Sequence, residues 1–142
     1  PSGRVALTAH VLMAVAAERE GLHDLAYSQY QMALGLGPPP ELAARMYRLM
    51  ISTATRNRNF DLAVKHAEKL CALPEQSIPP RDRVVHCWLL ARLYAHKGRT
   101  AKAVRVLRDV IARYEPEYTK LASLELETIA ERAVGPDVER VN

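Results

Sequence analysis

Aromatic residues are scarce in this chain: one phenylalanine, one tryptophan and six tyrosines make up 6% of 142 residues. A core must therefore be built mainly from Ala, Leu, Val and Met, which favours close-packed helices over strands. Sustained period-two alternation bounded by hairpin turns is also missing, whereas apolar residues recur every three or four positions almost throughout. No apolar run approaches the roughly 20 residues that a membrane-crossing helix takes. The nearest is Val5–Ala17 (VALTAHVLMAVAA), which with Arg4 ahead superficially resembles a secretory leader. His10 interrupts that run, and the same residues are needed as a first helix.

Chemistry-bearing patterns are equally thin. Cys71 and Cys87 are the only cysteines, sixteen positions apart and without CxxC spacing. They imply neither a disulfide framework nor a thiolate metal site, and the expectation is two buried thiols in a reducing, cytoplasmic setting. His86, Cys87 and His96 do not supply the four converging ligands of a zinc site. Nothing supplies the base, orienting acid and oxyanion site that Cys–His catalysis needs. A glycine-rich phosphate loop and a GxSxG elbow are missing too. The reading is a non-enzyme with no catalytic residue, no metal and no cofactor.

What is present is an ordinary globular balance, 49% hydrophobic and 25% charged residues, with its charge unevenly spread. The chain carries +4 overall, but residues 44–114 hold fifteen Lys/Arg against five Asp/Glu, and residues 115–142 hold seven acids against three bases. That asymmetry points to an acidic partner for the basic middle, to an acidic tail that covers it, or to both. The opening PSGR, without methionine, suggests a fragment or a trimmed chain.

Seven helices are expected. They run over Val5–Glu20, Asp24–Leu36, Glu41–Arg56, Phe60–Leu73, Arg81–His96, Thr100–Tyr114 and Glu117–Ala133. Gly21, Asn57-Arg58-Asn59 and Lys97-Gly98 make short turns, with Asn suited to left-handed backbone angles. Thr100 is the expected cap of the sixth helix. Gly37–Pro40 and Pro74–Pro80 are stiffer, proline-rich breaks. Gly135-Pro136 should end the seventh helix, leaving 137–142 frayed. The result is three helical hairpins and a terminal helix.

The hairpins repeat. Ala26, Ala63 and Ala103 fall 37 and 40 residues apart. Around them recur Met13-Ala14, Ala17, Gly21, Tyr30, Ala33 and Pro38; then Tyr47, Met50, Ala54, Phe60, Ala67, Leu70 and Pro74; then Leu90-Ala91, Tyr94, Gly98, Leu107, Val110 and Pro116. This pattern resembles the tetratricopeptide repeat (TPR), with W-x2-L-G-x2-Y, A-x3-F and a late proline over about 34 residues. His10, Tyr47 and Cys87 stand where the family has tryptophan, and the periods are longer. The resemblance spans nearly all of residues 7–116, as degenerate repeats at 7–40, 44–77 and 84–116 followed by a helix at 117–133. It implies a single all-α domain over 1–142, a right-handed superhelical array of hairpins (an α-α solenoid).

The resemblance further implies that each repeat's first helix lines a concave groove. The first repeat would contribute Thr8, Val11, Val15, Glu18 and Arg19. The second would contribute Arg45, Arg48, Ser52, Thr55 and Arg56, and the third Val85, Trp88, Arg92, Ala95 and His96. The Lys/Asn/Arg clamp with which some members hold chaperone tails is replaced by Val11, Val15, Leu49, Val85 and Leu89. Guanidinium groups bind carboxylate or phosphate in a fork and stack on an indole. The resulting expectation is a scaffold for protein binding, taking an acidic or extended partner segment through Arg45, Arg48, Ser52, Arg56, Trp88, Arg92, His96, Val11 and Val15.

Three alternatives stand beside it. Trp88 is a core residue if the register slips by one. The bases Lys97, Arg99, Lys102, Arg105, Arg108 and Arg113 on the sixth helix offer a nucleic-acid contact. An architectural role would use an exposed apolar first helix (Val11, Val15) to join another copy or the rest of a longer chain. For the seventh helix, a cap would bury Leu121, Leu124, Ile129 and Ala133 and keep Glu125, Glu127, Glu131 and Arg132 wet. An occupant of the groove would instead bring one of the glutamates to Arg92 or Arg48.

Overall fold

The computed structural model describes the backbone of residues 2–141 and the side chains of residues 3–133. It is helical throughout, with no strand among the described residues. The order is α1 (Ser2–Arg19), α2 (His23–Gly35), α3 (Pro40–Arg56), α4 (Phe60–Cys71), a 3-10 turn (Glu75–Ser77), α5 (Pro80–His96), α6 (Thr100–Arg113) and α7 (Lys120–Val141). Pro40 and Pro80 open α3 and α5 at the first helical position, where the missing N–H costs nothing and the fixed φ suits a helix.

One turn recurs three times. After α1 the Leu22 N–H donates to the Ala17 carbonyl (2.8 Å) and the Gly21 N–H to Glu18 (3.1 Å). After α3 the Asn59 N–H reaches Ala54 (2.8 Å) and the Arg58 N–H reaches Thr55 (3.0 Å). After α5 the Arg99 N–H reaches Tyr94 (2.8 Å) and the Gly98 N–H reaches Ala95 (3.0 Å). This is the Schellman arrangement, which satisfies the last helical carbonyls around one left-handed residue. That residue is Gly21 (φ 77°), Arg58 (φ 60°) and Gly98 (φ 78°). Four residues beyond Leu22, Asn59 and Arg99, the last amide of each turn, lie Ala26, Ala63 and Ala103, all with no accessible surface. The repeat read from the sequence is thus a repeat of structure.

The chain forms two compact units, Pro1–His66 and Ala67–Asn142, with α4 running through the division. In the first, Ala14 and Ala17 of α1 meet Ala26, Tyr30 and Ala33 of α2, and Met46 and Met50 of α3 close the core. Polar side chains stitch the same helices. His10 Nδ1 bonds Gln29 Oε1 at 2.6 Å, and the Thr53 hydroxyl donates to Glu18 Oε1 at 2.6 Å. Tyr27 and His66 are joined at 2.5 Å, beside the Tyr47 ring. Asn59 caps α4 by accepting the Leu62 N–H at 3.3 Å.

In the second unit α5 packs on α6, and α7 lies against both. The core comprises Leu70, Val84, Leu90, Ala91, Tyr94, Ala103, Leu107, Val110, Ala122 and Ile129. Buried Arg83 donates to the carbonyls of Cys71 and Leu73, which are orphaned where α4 stops before Pro74. Glu75 of the 3-10 turn accepts from Arg113 (2.9 Å) and from the Tyr114 hydroxyl (2.6 Å). That hydroxyl, and then Arg113, holds the Glu75 carboxyl below its ordinary range.

The structure corrects several expectations. Cys71 and Cys87 are joined in a disulfide rather than standing as separate thiols. Sequence spacing hid this because the two sit on neighbouring helices, where packing brings their Cα atoms to 5.1 Å, within bridging range. Arg58, not an asparagine, adopts the left-handed conformation. Arg99 precedes α6 without a side-chain cap, and Thr100 is already helical. Helix α7 starts at Lys120 and its backbone continues through Gly135-Pro136 to Val141, while Asn142 lies outside the described residues. Among its described side chains, Ala122 and Ile129 are buried, whereas Leu121 (46%), Leu124 (58%) and Ala133 are exposed. A small residue at 122 lets the backbone approach, and that rotates the two leucines outward.

Two outcomes follow for stability. Arg58→Gly should raise it by up to about 1 kcal/mol, because an L-residue pays roughly that much at positive φ, whereas Gly21→Ala should lower it similarly. Reducing the disulfide, or replacing it by Cys71→Ser with Cys87→Ser, should lower it by about 3 kcal/mol through the reopened loop. Chemical denaturation checks both, and a reduced protein that melts like the oxidised one would show the bond to be dispensable.

Candidate functional site

The face of α5 that looks away from its core is set by helical spacing. Val84, Cys87, Ala91 and Tyr94 are buried, so the opposite stripe carries Arg81, Val85, Trp88, Arg92 and His96. Val85 is 38% exposed, Trp88 is half-buried, and Arg92 and His96 are exposed. The one tryptophan is therefore not a core residue. Its ring carries the Arg92 guanidinium 5.1 Å from the centroid, a cation–π contact that fixes a flexible side chain. Arg81 lies similarly over Tyr118, at 6.0 Å.

Helix α7 brings a carboxylate to this face. Glu125 Oε1 is 3.3 Å from Arg92 Nε, and the Glu125 side chain is 16% exposed against 57% for Arg92. Beside the pair, Arg92, Ala95, His96, Glu125 and Arg132 line a cavity of about 170 Å³. Among the described residues, two guanidinium groups, an imidazole and one carboxylate thus line the same space. No cluster of three or more His, Cys, Asp or Glu side chains suited to a metal occurs among the described residues.

In the first unit, Arg45, Arg48, Ser52 and Arg56 are all exposed along one face of α3, with Leu49 beside them at 40%. Val11 and Val15 of α1 are half-buried, and Val11 packs on the hairpin core. Glu18, expected in the groove, is instead engaged by Thr53. The Glu125–Arg92 pair is one of the contacts expected of a groove-occupying seventh helix rather than of a cap with wet glutamates. Arg132, expected only to stay wet, was missed as a lining residue.

No protein-family model matches the sequence, and neither does any curated protein. Among solved structures, the chain is similar to the N-terminal domain of stress-induced protein-1 (STI-1) from C. elegans. The two are 18% identical, and the match covers 89% of this chain and 98% of that one with a TM-score of 0.68. The fold is tetratricopeptide-like. At that identity the likeness speaks for the fold, which agrees with the repeated turn and the three buried alanines.

Proposed function

We propose that this chain is a non-enzymatic protein-interaction module that binds an acidic, extended segment of a partner protein. The observation that carries the reading is the Trp88–Arg92 pair on α5, stacked at 5.1 Å beside a cavity that His96 and Arg132 also line. Tryptophan and arginine are the types that dominate binding energy at interfaces, and a guanidinium held on an indole loses little freedom on binding. Glu125 meets Arg92 already, so an incoming carboxylate takes over an interaction whose geometry is set. Within the first unit, exposed Arg45, Arg48 and Arg56, with Ser52, offer the same chemistry on α3, and Val11 and Val15 offer apolar edges on α1.

The outer face of α6 supports nucleic-acid binding less well. Arg113 is held by Asp109 (3.1 Å) and Glu75 (2.9 Å), and Lys102 lies over the Tyr94 ring at 5.6 Å. Among the described residues no helix is long and apolar enough to cross a membrane. The cytoplasmic placement rested on two separate thiols, and the Cys71–Cys87 bond removes that support, since such bonds persist in oxidising compartments.

The test uses the intrinsic fluorescence of Trp88, titrated with a tryptophan-free peptide of alternating glutamate and leucine. Binding should perturb the emission, weaken with salt and fall about tenfold in Arg92→Gln, with Arg105→Glu plus Arg108→Glu leaving it unchanged. Loss in the α6 variant with Arg92→Gln unaffected would contradict the reading in favour of the outer face.

A further inference from the structure

Among the apolar faces left exposed by the described residues, two lie on the first helix and on the last pair of helices. On α1, Val5 (68% exposed), Ala9, Leu12 (63%) and Ala16 form a stripe at i, i+4, i+7 and i+11, opposite the buried Ala14 and Ala17. Between α6 and α7 lies a groove of about 390 Å³ lined by Thr100, Val104, Arg108, Leu126, Ile129, Ala130 and Ala133, with Glu127 at its edge. Helix α7 contacts both helices of the α5–α6 hairpin, so this groove is the seat that a further helix of the array would take. Its small residues, Thr100, Ala130 and Ala133, permit the close approach that Ala26 and Ala103 permit elsewhere. Outer faces of helical-repeat proteins are ordinarily polar, and these two are not.

We infer that α1 of one copy seats in the α6–α7 groove of another, so that the chain associates head to tail. Charge decides the occupant. At 100° per residue, the α1 stripe is flanked on one side by Arg4 and Arg19 and on the other by Glu20. The groove is flanked by the exposed bases Arg105 and Arg108 on α6 and by the exposed acids Glu127 and Glu131 on α7. One direction of insertion therefore sets Arg4 and Arg19 toward the α7 acids and Glu20 toward the α6 bases. An antiparallel pair of α1 helices would instead set Arg4 and Arg19 against their own copies. The groove has room for the Leu12 and Val5 side chains, and both apolar faces leave water in a single contact. Because the two surfaces differ, the contact is heterologous: it builds a closed ring where its rotation closes and otherwise propagates with concentration.

The experiment is light scattering on the 142-residue chain over a concentration series, with two variants whose exposed sites leave the cores untouched. Leu12→Glu blocks the helix and Ala130→Glu blocks the groove. Each alone should be monomeric, and an equimolar mixture should form a dimer and nothing larger, because one intact surface remains on each. Arg19→Glu should weaken association several-fold, with recovery when mixed with Glu127→Arg. If either blocking variant fails to fold by circular dichroism, Leu12→Lys and Ala133→Glu replace the pair. A wild-type chain that stays monomeric at millimolar concentration overturns the inference. So does association lost in Leu12→Glu but kept in Ala130→Glu, which would mark a contact between two α1 helices, or a mixture that does not dimerise.

Discussion

Everything in this molecule depends on how closely two antiparallel helices can approach at an alanine. Ala26, Ala63 and Ala103 have no accessible surface, and each follows the last amide of the same turn by four residues. A larger side chain there would push the helices apart and leave the neighbouring core residues without contacts, because interiors are packed nearly as densely as organic crystals. The turn and the alanine act together. The left-handed residue reverses the chain within two positions, so the second helix begins close to the first, and only a small residue tolerates that distance. Glycine does this without strain at 21 and 98, whereas Arg58 does it with a backbone that side-chain-bearing residues rarely adopt.

Once one side of each helix is committed to this packing, the chemistry of the other side is left facing outward. On α5 the committed side holds Cys87, Ala91 and Tyr94, with burial pushing the Tyr94 hydroxyl up. The bond from Cys87 to Cys71 and the grip of Arg83 on the end of α4 both fasten α5 from behind. Trp88 and Arg92 thus project from a backbone held at several points, which is the condition for a face that does not have to be ordered when a partner arrives.

Much of the architecture was legible because it rests on local rules. Helix ends at Arg56 and His96 follow from the turn residues, and the hairpin pattern follows from alanine spacing. What was hidden depends on contacts distant in sequence. No spacing rule brings Cys71 to Cys87, since only the packing of α4 beside α5 does so. The rotation of α7 was hidden for the same reason. Its leucines are more hydrophobic than its alanines, yet Ala122 sits at the contact and Leu121 and Leu124 stay in water. Of the site, the outward placement of Arg45, Arg48, Ser52 and Arg56 was readable from helical periodicity. The pairing of Arg92 with Glu125 was one of two outcomes the sequence left open, and the way α7 turns decides it.

The central claim is that three hairpins share one crossing geometry, and side-chain enlargement at the three crossings tests it most directly. Urea denaturation of Ala26→Leu, Ala63→Leu and Ala103→Leu should show each protein destabilised by about 1–3 kcal/mol, the ordinary cost of overpacking a closed site. The effect should be as clear at Ala63, in the hairpin whose sequence departs furthest from the pattern, as at the other two. A leucine accepted at any one of them with stability unchanged would mean that its helices do not approach closely there, and that the common geometry is not what builds this fold.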